Sequence, residues 1–184
     1  MVIRSLVLLI IFSSVYSKSL AQNKEWKFNT AFSFSPGLLT ENTQSIQLHG
    51  YLGYLKDKIH IRGDVFYLLN QIGDRPRFTM NHQLYFGAFY HFSDKKLHPY
   101  IGFQPGIALT QSSEYPSLDE ASGELLYRKA INPVGSPALG FQYYGEKLFF
   151  LFFESRYIFG KHKVDTYPVF LDELRFSFGL GLTF

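Results

Sequence analysis

The last eleven residues, Leu174-Arg175-Phe176-Ser177-Phe178-Gly179-Leu180-Gly181-Leu182-Thr183-Phe184, alternate without a break. Leu174, Phe176, Phe178, Leu180, Leu182 and Phe184 fall on one face. Arg175, Ser177, Gly179, Gly181 and Thr183 fall on the other, with the period of two that a strand imposes. In water so long and aromatic a face would invite edge-to-edge aggregation, whereas against lipid it is the expected surface. The stretch therefore reads as one wall strand of a membrane β-barrel, and the rest of the chain can be tested for the other walls.

Composition narrows the choice. The 184 residues include 20 Phe, 13 Tyr and 1 Trp but no Cys, which excludes a disulfide scaffold and a thiolate metal site. After the N-terminus no run of 18 or more apolar residues occurs, so a helical span is excluded and a barrel is the compatible membrane class. The N-terminus reads as an export signal. Arg4 supplies the positive region, Leu6 to Val15 the apolar stretch, and Ser19-Leu20-Ala21 the small residues of a cleavage site. Cleavage after Ala21 leaves a single barrel domain over 22–184. Without Arg4 and Lys18 the cations number 16 against 15 acids, a formal charge of +1 that gives no reason to expect nucleic acid.

Seven more alternating runs precede the closing one: Trp26 to Phe34, Ser45 to Leu55, Ile59 to Leu69, Phe78 to Phe92, Pro99 to Thr110, Pro133 to Tyr143 and Leu148 to Phe159. Pro36-Gly37 is expected to end the first, Pro105 to kink or bulge the fifth, and Pro137 to interrupt the sixth. Connections at Lys56, Ser93 and Tyr144 are short, and those at Pro36, Asn70, Gln111 and Gly160 longer. The longest, Gln111 to Asn132, contains the capping-box spacing Ser117-Leu118-Asp119-Glu120, which predicts a short helix over Ala121 to Leu126. The fold class is thus all-β, an eight-stranded antiparallel up-and-down transmembrane barrel.

The terminal aromatic with apolar residues at alternating positions before it (Phe176, Phe178, Leu180, Leu182, Phe184) resembles the insertion signal of bacterial outer-membrane barrels. Over nearly all its mature length the chain resembles the small eight-stranded barrels of the OmpA and OmpX type. That resemblance implies residence in the outer membrane with both termini periplasmic and long loops outside. It also implies contact with outer-membrane lipid and lipopolysaccharide, recognition by the barrel-insertion machinery, and a monomer.

Inward parity gathers Arg62, Asp64, Glu154, Arg156 and Arg175, which must pair because a lone charge in so narrow an interior is costly. One ion-pair network is expected, with no catalytic, metal or cofactor site. His60, Arg62 and Asp64 share a face, but one His and one Asp are too few for zinc and Arg62 repels a cation. His60 reads as a satisfied interior histidine, and His91 and His98, near a turn, as solvated. The function expected is structural, or a binding or adhesion role carried by an extracellular ligand site in residues 111–132. The alternatives are a narrow pore and a lipid A acyl hydrolase, as in some small barrels that act with an outward Ser-His-acid set. The outward His82 and Ser155 lie on the fourth and seventh strands with no outward carboxylate beside them, which weighs against the hydrolase.

Overall fold

Eight long strands carry the architecture: β1 Lys27–Leu39, β2 Gln44–Lys56, β3 Ile59–Ile72, β4 Phe78–His91, β5 Leu97–Ser112, β6 Lys129–Tyr144, β7 Phe149–His162 and β8 Glu173–Thr183. The computed structural model describes residues 26–39, 43–73, 77–93, 95–114, 116–118, 123–145, 148–163 and 167–184, so the expected export segment over 1–21 lies outside them. Each strand pairs antiparallel with its sequence neighbour. β1 pairs with β8, from Asn29 opposite Thr183 to Leu39 opposite Glu173, and this pairing closes the ring. The last backbone bonds of that seam join Phe28 and Phe184, with N···O distances of 3.1 and 2.8 Å.

Alternation sorts the side chains as strand geometry requires. Phe32, Phe34, Leu52, Val65, Tyr67, Leu84, Phe86, Ile107, Leu139, Phe178 and Leu180 are exposed on the outer wall, while Arg62, Asp64, Glu154, Arg156 and Arg175 are fully buried inside it. An apolar outside with a charged inside inverts the arrangement of a water-soluble barrel. At the end where β1 begins and β8 finishes, the termini end of the barrel, an aromatic collar forms. Phe28 packs on Tyr54 at 5.3 Å and on Phe184 at 6.2 Å, and Lys56 Nζ lies 5.5 Å above the Trp26 ring.

Several boundaries differ from the sequence reading, each for a local reason. β1 continues through Pro36-Gly37 to Leu39, because Pro36 points outward and Gly37 inward without loss of register against β2. A Cβ on Gly37 would lie 1.8 Å from Glu173 Oε1, so this glycine is a space requirement and not a strand end. Pro105 produces no bulge. The registers of β5 against β4 and β6 are the same before and after it, and only the bridges to β4 at 86–87 are missing. Pro137 likewise leaves β6 continuous and costs only the bridges to β7 at 157–158. Proline on the outer face removes one donor without turning the strand.

The true irregularities lie elsewhere. The β2–β3 register shifts at Ile46/Gln47, turning Leu69 and Asn70 outward together, and the β4–β5 register shifts between Phe78 and Met80, which turns Phe78 into the interior.

The loops also correct the reading. The helix expected over Ala121 to Leu126 does not form at its C-terminal end, where Leu125–Leu126 pairs antiparallel with Ser117–Leu118; Asp119 to Ser122 lie outside the described residues. β5 and β6 extend farther than expected, so the long connection shrinks to 113–128. The connection expected to start at Gly160 instead begins after β7 has continued to His162, where Lys161 and His162 pair with Val169–Phe170. The connection 40–43 is as short as 145–148, so the contrast in connection length between the two barrel ends rests on 113–128 and 163–172 alone.

Candidate functional site in the barrel interior

The ring order makes β3 and β7 opposite walls, as are β4 and β8, and β2 and β6. Each of these three pairs is braced across the full width of the barrel by inward side chains.

The central brace joins β3 to β7. Arg62 Nε donates to Asp64 Oδ2 at 2.9 Å, and its Nη2 donates to Glu154 Oε2. Arg156 Nη2 donates to Glu154 Oε1 at 2.7 Å and to Asp64 Oδ1 at 3.3 Å, so each carboxylate meets both guanidinium groups. The i, i+2 spacing within each strand puts Arg62 beside Asp64 and Glu154 beside Arg156, and only closure brings the two couples together. Tyr100 OH and Gln104 of β5 complete the set, donating to Glu154 Oε2 at 2.9 Å and to Asp64 Oδ2 at 2.6 Å. Two positive and two negative charges therefore balance. Arg62 Cζ lies 4.4 Å from the Tyr51 ring and 4.1 Å from the Phe89 ring, so its faces are covered by π-systems that favour a cation.

Arg175 does not join this network. Its Nη2 donates to Glu173 Oε2 and its Nη1 reaches across the barrel to Gln83 Oε1 at 3.0 Å, forming the β8–β4 brace. Ser45 Oγ also donates to Glu173. Phe66 separates the two clusters, with Arg156 Cζ 4.7 Å and Arg175 Cζ 4.5 Å from its ring. Glu173 lies one residue before the alternation that begins at Leu174, so the sequence reading leaves it out of the interior set; its inward parity with Arg175 and Ser177 is the available signal. The third brace is Gln142 Nε2 of β6 donating to Tyr51 OH of β2 at 2.8 Å.

A line of groups not anticipated from sequence lies beside the central brace. Ser33 Oγ is 2.8 Å from His49 Nδ1, and His49 Nε2 is 2.8 Å from Asp64 Oδ1. Serine, histidine and aspartate in that order are the parts of a hydrolytic triad. Here all three are buried, and Phe66 stacks on the imidazole at 4.1 Å with an interplanar angle of 5°. Through His49 Nε2 the line adds a further hydrogen-bond partner to Asp64 of the central brace.

On the outer wall, His82 stacks on Tyr67 at 4.1 Å, and the backbone N–H of Leu68 donates to its Nδ1 at 3.2 Å. Its imidazole is thus held by its own neighbour strand, whereas Ser155 of β7 pairs with Leu139 and Phe176 on the far side of β5. One His-x-Ser spacing occurs in the sequence, His91-Phe92-Ser93, with His91 turned inside and Phe92 outside. His91 is fully buried and not solvated as its place near a turn suggested, with its ring 5.1 Å from Tyr100 and 5.5 Å from His60. His98 is half-buried against Tyr144 at 4.6 Å, and His60 Nε2 has no hydrogen-bond partner among the described residues. His162 is also buried inside, 2.8 Å from Thr110 Oγ1 through Nδ1.

A closed eight-stranded antiparallel barrel, apolar without and ion-paired within, has the build of the small outer-membrane barrels. Among solved structures the chain is similar to Neisserial surface protein A, with 14% identity, a TM-score of 0.64, and coverage of 86% of this chain and 97% of that one. It is also similar to the N-terminal β-barrel domain of Pseudomonas aeruginosa OprF, with 15% identity, a TM-score of 0.55, and coverage of 89% and 100%. No protein-family model matches the sequence, and no curated protein matches it. At these identities the likeness is one of fold.

Proposed function

We propose that this chain is an outer-membrane protein whose barrel is a membrane anchor and whose loop end, above all the hairpin 113–128, is a binding or adhesion surface. The observation that carries this reading is the interior. Hydrogen bonds join opposite walls at Arg62–Glu154, Arg175–Gln83 and Gln142–Tyr51, so the barrel's own side chains occupy the interior at these levels. That occupancy supports a function carried outside the barrel. The loop end presents exposed apolar side chains beyond the strands, namely Leu125, Leu126, Tyr127 and Tyr167. Gln111 Nε2 donates to Tyr127 O at 2.8 Å, which ties the hairpin to the rim of β5. A tied loop of this length is more often functional than idle. The similar fold of a protein named as a surface protein agrees with this placement.

On the same reading, residues 1–21 are a cleaved export signal, 22–184 the barrel, and both termini periplasmic. Phe176, Phe178, Leu180, Leu182 and Phe184 are the signal read by the insertion machinery, and lipopolysaccharide and membrane lipid cover the outer wall of a monomer. The test replaces 114–128 with a Gly-Ser turn and compares whole cells for attachment to host-cell or matrix surfaces. The reading expects a folded barrel and loss of attachment. Unchanged attachment and unchanged cell-level phenotypes with the loopless barrel would refute the binding role.

A further inference from the structure

At the loop end, the outer rim of the barrel is charged on one side only. The rim residues Leu38, Gln44, Ile72, Thr79 and Gln111 of β1 to β5 face outward and are uncharged, whereas Lys129 opens β6 and Lys161 lies at the end of β7 on the same outer parity, with Lys163 two residues on. Lys161-His162-Lys163 keeps the strand alternation, so His162 is buried and both lysines are exposed. Two residues of strand set the lysines about 6–7 Å apart. From the last bridge between β6 and β7 toward this end, Val134 opposite Gly160, the two neighbouring strands run on to Lys129 and to the Lys161–Lys163 pair. Among the described residues no ion pair engages any of the three lysines. Asp172, just before β8, accepts instead from the Gly160 N–H at 3.4 Å.

Toward the middle of the membrane, the wall beneath these cations is apolar and smooth. Phe159, the next outward residue below Lys161, lies against Gly135 of β6, where a Cβ would collide with the Phe159 ring, and it stacks with Phe103 of β5 at 6.3 Å and 25°. Ile131, the next outward residue below Lys129, is exposed. Lys161 Nζ stands 4.6 Å over the Phe170 ring, which holds the cation at the level where the apolar wall ends. Cations directly above an apolar platform suit an amphiphile with an anionic head and acyl tails. A soluble polyanion would use the lysines and leave the platform bare.

We propose that the β6–β7 rim is a binding site for one phosphorylated, multiply acylated glycolipid of the outer leaflet, the class of lipopolysaccharide, with its phosphate on Lys129, Lys161 and Lys163 and its acyl chains along Phe159, Phe103 and Ile131. Lysine serves here as a point charge for phosphate. The inference rests on the reading that the loop end is external, and adds that one lipid is held at a fixed place on the circumference. An unselective lipid coat requires no such asymmetry. Because Gln111 lies opposite Lys129 and holds Tyr127 O, the bound headgroup adjoins the hairpin 113–128.

The test uses the full mature chain refolded in detergent micelles and titrated with bisphosphorylated lipid A, with retained lipid counted by native mass spectrometry. One lipid A per chain is expected. Lys129→Gln/Lys161→Gln/Lys163→Gln should weaken retention roughly 100-fold, about 5-fold for each cation beside an anionic headgroup. Removing the phosphates from the lipid should weaken it as much. Lys58→Gln/Lys95→Gln/Lys96→Gln takes as many cations from the turns of the termini end and should leave retention unchanged. Heat-dependent gel migration verifies that each variant is folded. Equal retention by wild type and the folded rim variant, displacement of the lipid by millimolar inorganic phosphate, or binding of a soluble sulfated polysaccharide in place of lipid A would overturn the proposal. Orientation is read separately, from labelling of Tyr167→Cys by a membrane-impermeant maleimide. Label on intact cells together with failed lipid retention rejects this site alone, whereas label only after lysis rejects the external loop end and the outer-leaflet lipid with it.

Discussion

Glu154→Gln is the substitution that bears most directly on how the barrel holds together. The Glu154 carboxylate accepts from Arg62 Nη2, from Arg156 Nη2 and Nε at 2.7 and 3.0 Å, and from Tyr100 OH at 2.9 Å. Glutamine keeps the shape but removes the charge, and its amide group would present donors to donors. Asp64 would then face two guanidinium groups alone, leaving the central brace with a net positive charge in a fully buried position. Removing one partner of such a buried pair costs about 3–5 kcal/mol. With a urea slope of about 2 kcal/mol/M, the unfolding midpoint should fall by roughly 2 M. The assay is urea unfolding of the refolded barrel in lipid vesicles, followed by Trp26 fluorescence and by gel migration without boiling. Tyr100→Phe, which removes one donor to the same carboxylate, should cost less, about 1.5–3 kcal/mol. A Glu154→Gln midpoint within experimental error of wild type, or a Tyr100→Phe effect larger than it, would refute the cross-brace.

Three further outcomes are expected. Gly37→Ala forces a methyl into the space of Glu173 Oε1 and Ser45 Oγ, and should destabilise the barrel by about 1–3 kcal/mol in the same urea assay. Arg175→Met alone leaves Glu173 buried without its cation and should cost about 3–5 kcal/mol, whereas Glu173→Leu/Arg175→Met should recover much of that loss because no unpaired charge remains. Phe184→Ala removes the aromatic that packs on Phe28 at the membrane edge, and should lower the amount of assembled protein in outer-membrane fractions measured by immunoblot.

The wall was legible because its signal is local. Leu174 to Phe184 and the run from Ser45 to Leu55 alternate in sequence, and alternation alone assigns each residue to the lipid side or the interior. Strand ends were less legible where punctuation residues had another task, as at Gly37 beside Glu173 and at the outward Pro105 and Pro137. The charged residues of the interior were visible by parity, but their partners were not. Arg175 belongs with Glu173 and Gln83 because Phe66 stands between it and Arg156, and that fact depends on strand stagger around the closed ring. His49, Ser33 and Asp64 come together from three successive strands through the same stagger, and His91 is buried because β4 runs to its end inside the barrel wall. Register is long-range information, and one sequence carries it only weakly.

The claim on which the rest depends is that β1 and β8 close the ring in the membrane. Thr30 and Leu182 are opposed across that seam, 152 positions apart in the chain, and Thr30 and Leu52 are opposed across the β1–β2 hairpin. The protein contains no cysteine, so paired substitutions report one contact each. Opposed residues of antiparallel strands lie within the Cα separation of about 4.4–6.8 Å that a disulfide spans. In outer-membrane fractions, Thr30→Cys/Leu182→Cys should form a disulfide as readily as the hairpin pair Thr30→Cys/Leu52→Cys, while Thr30→Cys/Leu84→Cys, placed on strands three apart, should form none. A hairpin crosslink without the seam crosslink would contradict closure, and with it the filled barrel on which the functional reading stands.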